Sequence, residues 1–415
     1  MILEPLETDQ AQEWKIDLVE DDYFLIEKPV LAKDIQNWIL ATSIRKQPAL
    51  ALAATLSILS CAYGRSLLLD GIKPNLMLLC LANSGEGKDW PMKAAKKLLA
   101  HPAINMQARL AGQVASGAAL IEAISHSRSL LMILDEIGHY FSGISSGKAN
   151  QYSREIMPMI TELYTSANDT YIGKATKGNK GIVIESPHLS IFGCATERQF
   201  IEPLSSAEVL DGSLARFFVF FGKNNVELNK KRVSADIPDH IIDELAYRIN
   251  KHQSIFPANP LQIVASDAFM DEKDLIQDIN DARALNDAFA APIYRRNAVK
   301  AVQVAMLINP DCDDVKVLEW ASRLVTNTSE CFIKKFKHMA ADNENERQQK
   351  IIIAAIKEAG KRGISARDLT RKTQRVSSVT RKQVIKELLD VGLIFLDEVY
   401  IDHSQKATLV YFWKK

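Results

Sequence analysis

Four stretches of the chain are apolar almost without a break: residues 76–81 (Leu-Met-Leu-Leu-Cys-Leu), 129–134 (Ser-Leu-Leu-Met-Ile-Leu), 188–196 (His-Leu-Ser-Ile-Phe-Gly-Cys-Ala-Thr) and 217–221 (Phe-Phe-Val-Phe-Phe). A strand with one wet face alternates apolar and polar residues. These runs do not, so they predict strands covered on both sides, as in a parallel sheet packed between helices. Elsewhere the apolar positions recur at helical spacing. Helices are expected across 33–66 in two pieces, the second opened by Pro48, then from the Ser116 cap to His126, and over 152–165. Four more are expected over 236–253, 265–290, 294–308 and 315–340. Residues 170–185 read as a hairpin, two β-rich arms around Lys-Gly-Asn-Lys-Gly, where Gly178 and Asn179 suit a tight turn.

The pattern changes once more after residue 341. A polar linker leads into helices expected at 348–360, 366–373 and 378–391, with Ser365 capping the second. Two strands, 393–401 and 407–413, follow as a wing. The expected organisation is therefore an N-terminal segment with a helical collar (1–65), an α/β core (66–234), a helical lid (235–340) and a winged-helix domain (341–415).

Composition adds little beyond this. Apolar content of 47% and charged content of 25% are ordinary for a globular chain of 415 residues. Formal net charge is zero, so a nucleic-acid site must be a local patch. Such a patch exists between 361 and 386, where nine Lys or Arg face Asp368 alone, a local excess of +8. Arg371, Lys372, Arg381 and Lys382 lie on the second and third helices of the winged pattern and are its expected DNA contacts. Lys174, Lys177 and Lys180 at the hairpin tip are either solvated or a grip on a phosphate backbone, which lysines contact without reading sequence. Five cysteines without metal-ligand spacing argue for a reducing compartment and against a zinc site. With no legible signal peptide or transmembrane helix, a cytoplasmic protein without a membrane partner is expected.

The candidate chemistry sits at the ends of the apolar runs. After 76–81 comes Ala82-Asn-Ser84-Gly85-Glu86-Gly87-Lys88-Asp89, a small-residue loop leading into a helix. This is the layout of a phosphate-binding loop, with backbone N–H groups, a helix N-terminus and a mobile lysine charge converging on one anion. It departs from GxxxxGK[ST] in two places. Ala82 replaces the first glycine, and Asp89 stands where a hydroxyl normally meets Mg²⁺; a carboxylate also suits that metal. The run 129–134 ends in Asp135 and Glu136, an acid to order Mg²⁺ and a neighbour to polarise the attacking water. Thr196 closes the third run and is a candidate γ-phosphate sensor. Arg216 opens the fourth and either makes an internal ion pair or reaches a neighbouring subunit's nucleotide. Arg295 and Arg296 open a helix of the lid, where arginines either touch the bound nucleotide from above, the role given to Arg296, or simply stand on the surface at a helix start.

Together, residues 84–89, 133–136, 194–196 and 211–217 resemble the P-loop (AAA+/RecA-like) replicative helicases of phages, plasmids and genomic islands, stand-alone relatives of primase-helicases. The similarity spans roughly residues 33–340. It implies a homohexameric ring, ATP and Mg²⁺ between subunits, single-stranded DNA in the channel, and a primase or initiator as a further partner. An ATP-dependent DNA helicase is the expectation. The alternative is an ATP-switched replication initiator or helicase loader that binds origin duplex through the winged helix.

Overall fold

The computed structural model describes residues 30–127, 129–138, 151–173, 181–201, 214–252, 261–339, 344–374, 376–399 and 408–414. The chain forms two compact units, a larger one ending at Lys335 and a smaller one formed by residues 336–415.

All four apolar runs are strands of one sheet in the larger unit: β2 (Met77–Leu81), β4 (Ser129–Leu134), β7 (His188–Ala195) and β8 (Phe217–Phe221). A two-residue strand, β3 (Leu110–Ala111), completes it. The spatial order is β3-β4-β7-β2-β8, and every pairing is parallel. The glycine loop follows β2 and the acidic pair follows β4, so β7 lies between them. Since all strands run the same way, the three loops leave the same carboxyl edge. Adjacent strands lie about 4.8 Å apart, so β2 and β4 end within roughly 10 Å of each other.

Both faces of the sheet are covered, as the unbroken apolar runs require. On one face, Leu78, Cys80, Leu131, Ile133, Phe192, Cys194, Phe218 and Phe220 share a core with helices α1 (Leu31–Thr42), α2 (Pro48–Tyr63) and α3 (Asp89–Leu99). Every residue of α2 is buried. A helix apolar all round has no wet face and must be enclosed. The window 48–66 is also long and apolar enough to cross a membrane, and 89% of it is buried inside the protein. The expected helices after residue 235 appear as Asp239–His252, Asp267–Asn286, Ala291–Ile308 and Val315–Met339. Ile241, Leu245, Val302 and Leu324 from this segment lie in the same core as α2. Residues 235–335 thus share the core of the larger unit.

The expected hairpin arms are present as Thr170–Ile172 and Val183–Glu185, paired antiparallel, while its lysine tip (Lys174, Lys177, Lys180) lies outside the described residues. Ser116 caps α4 (Gly117–Ser127) as read, its Oγ accepting from the Ala119 N–H at 3.2 Å.

The smaller unit holds three helices, Glu344–Ala359, Ala366–Lys372 and Ser378–Asp390, and a three-stranded antiparallel sheet in which Thr408–Trp413 lies between Ile364–Ser365 and Ile394–Val399. Ser365 accepts from the Asp368 N–H at 3.1 Å, the expected N-cap. Ile352, Ile356, Leu369, Val384 and Leu388 form its core.

Candidate nucleotide site at the carboxyl edge of the sheet

The loop between β2 and α3 owes its shape to its glycines. Gly85 and Gly87 adopt φ of 81° and 87°, a region costly to residues with a Cβ. At Gly87 a Cβ would also sit 3.0 Å from the Arg45 Cβ. The helix that follows begins at Asp89, with Lys88 as its N-cap residue. Its first N–H groups lack intrahelical acceptors and carry the positive end of the helix dipole.

Ser84, Gly85, Gly87, Lys88 and Asp89 line a cavity of about 650 Å³ together with Asp135 and Glu136. These predicted residues, from two separate segments, meet in one place. Glu136 stands immediately after β4 with φ of 53°, unusual for a residue with a side chain. Backbone strain of this kind collects at functional positions. The Asp135 carboxylate accepts the Glu136 N–H at 3.0 Å, which fixes the turn presenting both acids.

Glu86 belongs to the loop but has another task. Its carboxylate accepts the N–H groups of Asn225 (2.8 Å) and Val226 (3.1 Å). These donors hold its carboxyl below the ordinary range. Gln47 adds a second tie, donating to the carbonyls of Glu86 and Lys223, both at 2.8 Å. The loop is thereby stapled to residues 223–226, so Glu86 supports the phosphate loop from behind instead of lining the cavity as expected.

Residues without any motif complete the wall. Arg45 enters from the α1–α2 link, Lys93 and Trp90 from the first turns of α3, and Arg232 and Ser234 from the strap after β8. Trp90 is held by its Nε1–H, which donates to Thr42 Oγ1 at 2.9 Å. Arg45, Lys88, Lys93 and Arg232 bring positive charge to the same cavity as the acids.

Thr196 follows β7, the strand between β2 and β4. Its hydroxyl donates to Gln199 Oε1 at 2.9 Å and accepts the Gln199 N–H at 3.2 Å, starting the short helix Glu197–Ile201. Glu197 beside it pairs with Lys335 at 2.7 Å.

Arg216 and Arg296 are elsewhere. Both line a second cavity, near the starts of β2 and β8, at the amino edge of the sheet. Arg296 is expected either above the nucleotide or on the surface; the helix Ala291–Ile308 runs along the opposite edge, where Gln303 donates to the Lys73 and Asn75 carbonyls. An arginine there cannot reach the β2–α3 loop of the same chain, since a five-residue strand separates the two edges by roughly 15 Å or more.

For Mg²⁺ the donors fit. This cation takes one or two carboxylates, with substrate phosphates and water as the remaining ligands. Asp135 and Asp89 line the same cavity. Among the described residues there is no cluster of three or more His, Cys, Asp or Glu that would form an all-protein cage.

In the smaller unit, Arg371, Lys372 and Lys382 are exposed, Arg371 lying 3.7 Å from Asp368 and Lys372 pairing with Glu358 at 3.0 Å. Arg381 is buried. Its guanidinium donates to Thr373 Oγ1, the Thr373 carbonyl and the Val376 carbonyl at 2.7–2.8 Å. It ties the turn between two helices together, so its expected role as a DNA contact is replaced by a structural one.

Fold and cavity together define an α/β protein whose five-stranded parallel sheet carries a glycine loop and two acids at one edge. The chain matches no model of a known protein family, and comparison with curated protein sequences gives no match.

Proposed function

We propose that the protein is a P-loop ATPase, and that hydrolysis drives movement on DNA. The observation that carries the reading is the meeting of Gly85, Gly87 and Lys88 with Asp135 and Glu136 in one cavity at the carboxyl edge of a parallel sheet, where α/β proteins bind ligands. The loop N–H groups and the α3 N-terminus would hold the phosphates, with Lys88 on the terminal ones. Asp135 and Asp89 would hold Mg²⁺, which when bound neutralises charge developing on the phosphates. Glu136 would accept a proton from the attacking water. Arg45 and Arg232 extend the cavity's positive wall.

Arg216 at the far edge fits an arginine supplied to the nucleotide of an adjacent copy, which favours a homo-oligomer, a hexameric ring in the helicase reading. The smaller unit, with its antiparallel hairpin and the exposed Arg371, Lys372 and Lys382, is read as a winged helix that contacts DNA.

The test is ATP hydrolysis with and without single-stranded DNA, with Lys88→Ala as control. Strand-stimulated hydrolysis that disappears in the variant is the expected result. Hydrolysis indifferent to single strands would sink the motor and favour the origin-binding switch. No hydrolysis at all would mark Asp89 as the sign of a degenerate site.

A further inference from the structure

The amino edge of the sheet carries a second cavity, about 510 Å³ in volume. Cationic side chains line it from three directions: Lys73 ahead of β2, Arg216 ahead of β8, and Arg295, Arg296 and Lys300 from the helix Ala291–Ile308. Among the described residues that line it, none is acidic. Lys73 and Lys300 form its floor, each 3% exposed. Arg295 stands exposed at its rim.

A buried ammonium ordinarily has a carboxylate beside it, because desolvating an uncompensated charge is expensive. Here Lys300 Nζ donates to the Phe217 carbonyl at 2.8 Å, and Lys73 Nζ to the Arg65 carbonyl at 3.4 Å. An ammonium has three N–H donors, and each of these uses one on a neutral acceptor. Burial, with a neighbouring guanidinium second, pulls Lys300 down to about 7 and Lys73 to about 8. Gln303, which braces the segment ahead of β2 through the Lys73 and Asn75 carbonyls, lines the same cavity. The walls are therefore fixed, the charges share one sign, and the arginines at the mouth concentrate anions ahead of the lysines at the bottom.

We propose that this cavity is a receptor for a phosphate-bearing anion, held by a single copy of the chain independently of the glycine-loop site. Lys300 and Lys73 supply charge and donors at the floor, and Arg296 and Arg295 close around the anion's outer oxygens in the bidentate manner that guanidinium favours. The cavity has room for a di- or triphosphate group, and Ile72, Tyr164, Pro292 and Val299 add apolar surface beside the cations.

Inorganic triphosphate is the probe, and titration calorimetry of the full-length Lys88→Ala chain the measurement. That background removes the lysine of the first site, so failure of the ATPase reading and failure of this one are separable. One equivalent of triphosphate should still bind. Adding Arg296→Gln should weaken it at least tenfold, as should Lys300→Met. Because Lys300 is buried, Arg296→Gln on the partly exposed arginine is the decisive variant should the other fail to fold. Absence of binding to the Lys88→Ala chain overturns the proposal, as does binding that Arg296→Gln leaves unchanged. Binding only in the presence of an ATP-loaded second copy also overturns it, and assigns the cavity to a neighbour's hydrolysis site.

Discussion

The two edges of the sheet gather positive charge and hydrogen-bond donors in opposite ways. At the carboxyl edge the chain combines backbone with side chains: glycines at positive φ, a helix N-terminus, Arg45, Lys88, Lys93 and Arg232, and acids to balance them. At the amino edge it uses side chains alone, with buried lysines beneath arginines and no acid among the described lining residues. The first arrangement suits a ligand that arrives with a metal ion and leaves changed. In the proposed reading the second suits an anion that stays as it is, because no acid among the described lining residues is there to hold a cation beside it. Charge balance separates a site equipped for turnover from one equipped for binding.

Substitutions can break this comparison, and the largest effect belongs to the carboxyl edge. Lys88→Ala should remove detectable ATP hydrolysis, a loss of about 10²-fold or more for a lost contact to charge in the transition state; a malachite-green phosphate assay reads it. Residual activity near the parent level would mean that the cavity is not the hydrolysis site.

Arg216→Gln sharpens the contrast. If this arginine serves an adjacent copy, assembled protein should lose about 10³-fold in kcat. Nucleotide affinity of the isolated chain, read with a fluorescent ATP analogue, should not change. A loss of affinity in the isolated chain would show that the edges communicate within one molecule.

A smaller effect comes from His188, the first residue of β7 at the amino edge. Burial, and next the charge of Lys73, hold its imidazole down to about 3. Arg109 and Arg65 act in the same direction, while the Ser60 carbonyl at 3.1 Å opposes them. The native state keeps this ring neutral and the unfolded state protonates it below 6.5, so the unfolded chain binds more protons between those values. Stability should therefore fall as pH drops from 6.5 toward 3, by up to about 1.4 kcal/mol per pH unit. Urea melts at pH 7, 5 and 4 measure the slope, which His188→Asn should flatten.

The smallest effects concern the C-terminal unit. Lys382→Ala should weaken DNA binding a few-fold and reduce its salt dependence by about one counterion. Arg381→Met should instead lower the melting point of this unit, because the carbonyls of Thr373 and Val376 lose their donor at about 1–3 kcal/mol for the group. Equal loss of DNA affinity in the two variants without any change in melting would contradict the structural role given to Arg381.

Much of the fold was legible because a parallel sheet writes itself as unbroken apolar runs. All four such runs became strands, while two-residue β3 is too short to leave a periodic signal. The glycine loop and the acidic pair were legible for a related reason, since backbone geometry restricts which residues can stand there. Side-chain direction was not. Glu86 sits in the middle of the motif yet turns to the N–H groups of Asn225 and Val226. Arg381 lies in a basic stretch that reads as surface, and only the helix packing shows its burial. The place of Arg296 was not legible, because a helix start says nothing about which edge of a sheet it will reach. Arg45 and Arg232 belong to no motif, as 186 positions of chain lie between them and only the fold brings them to one wall.

The enclosure of α2 bears on how the protein can be made and cut. Its walls come from β7 and β8, from residues 241–249 and from residues 298–325, all made after it. Until those segments emerge from the ribosome, a helix with the hydropathy of a membrane span is covered only in part, by α1, α3 and β2. The nascent chain therefore needs shielding through most of its synthesis. A fragment ending at residue 234 would keep α1, α3 and the sheet against that helix but lose the cover from residues 241–249 and 298–325, and should be less soluble than the full chain.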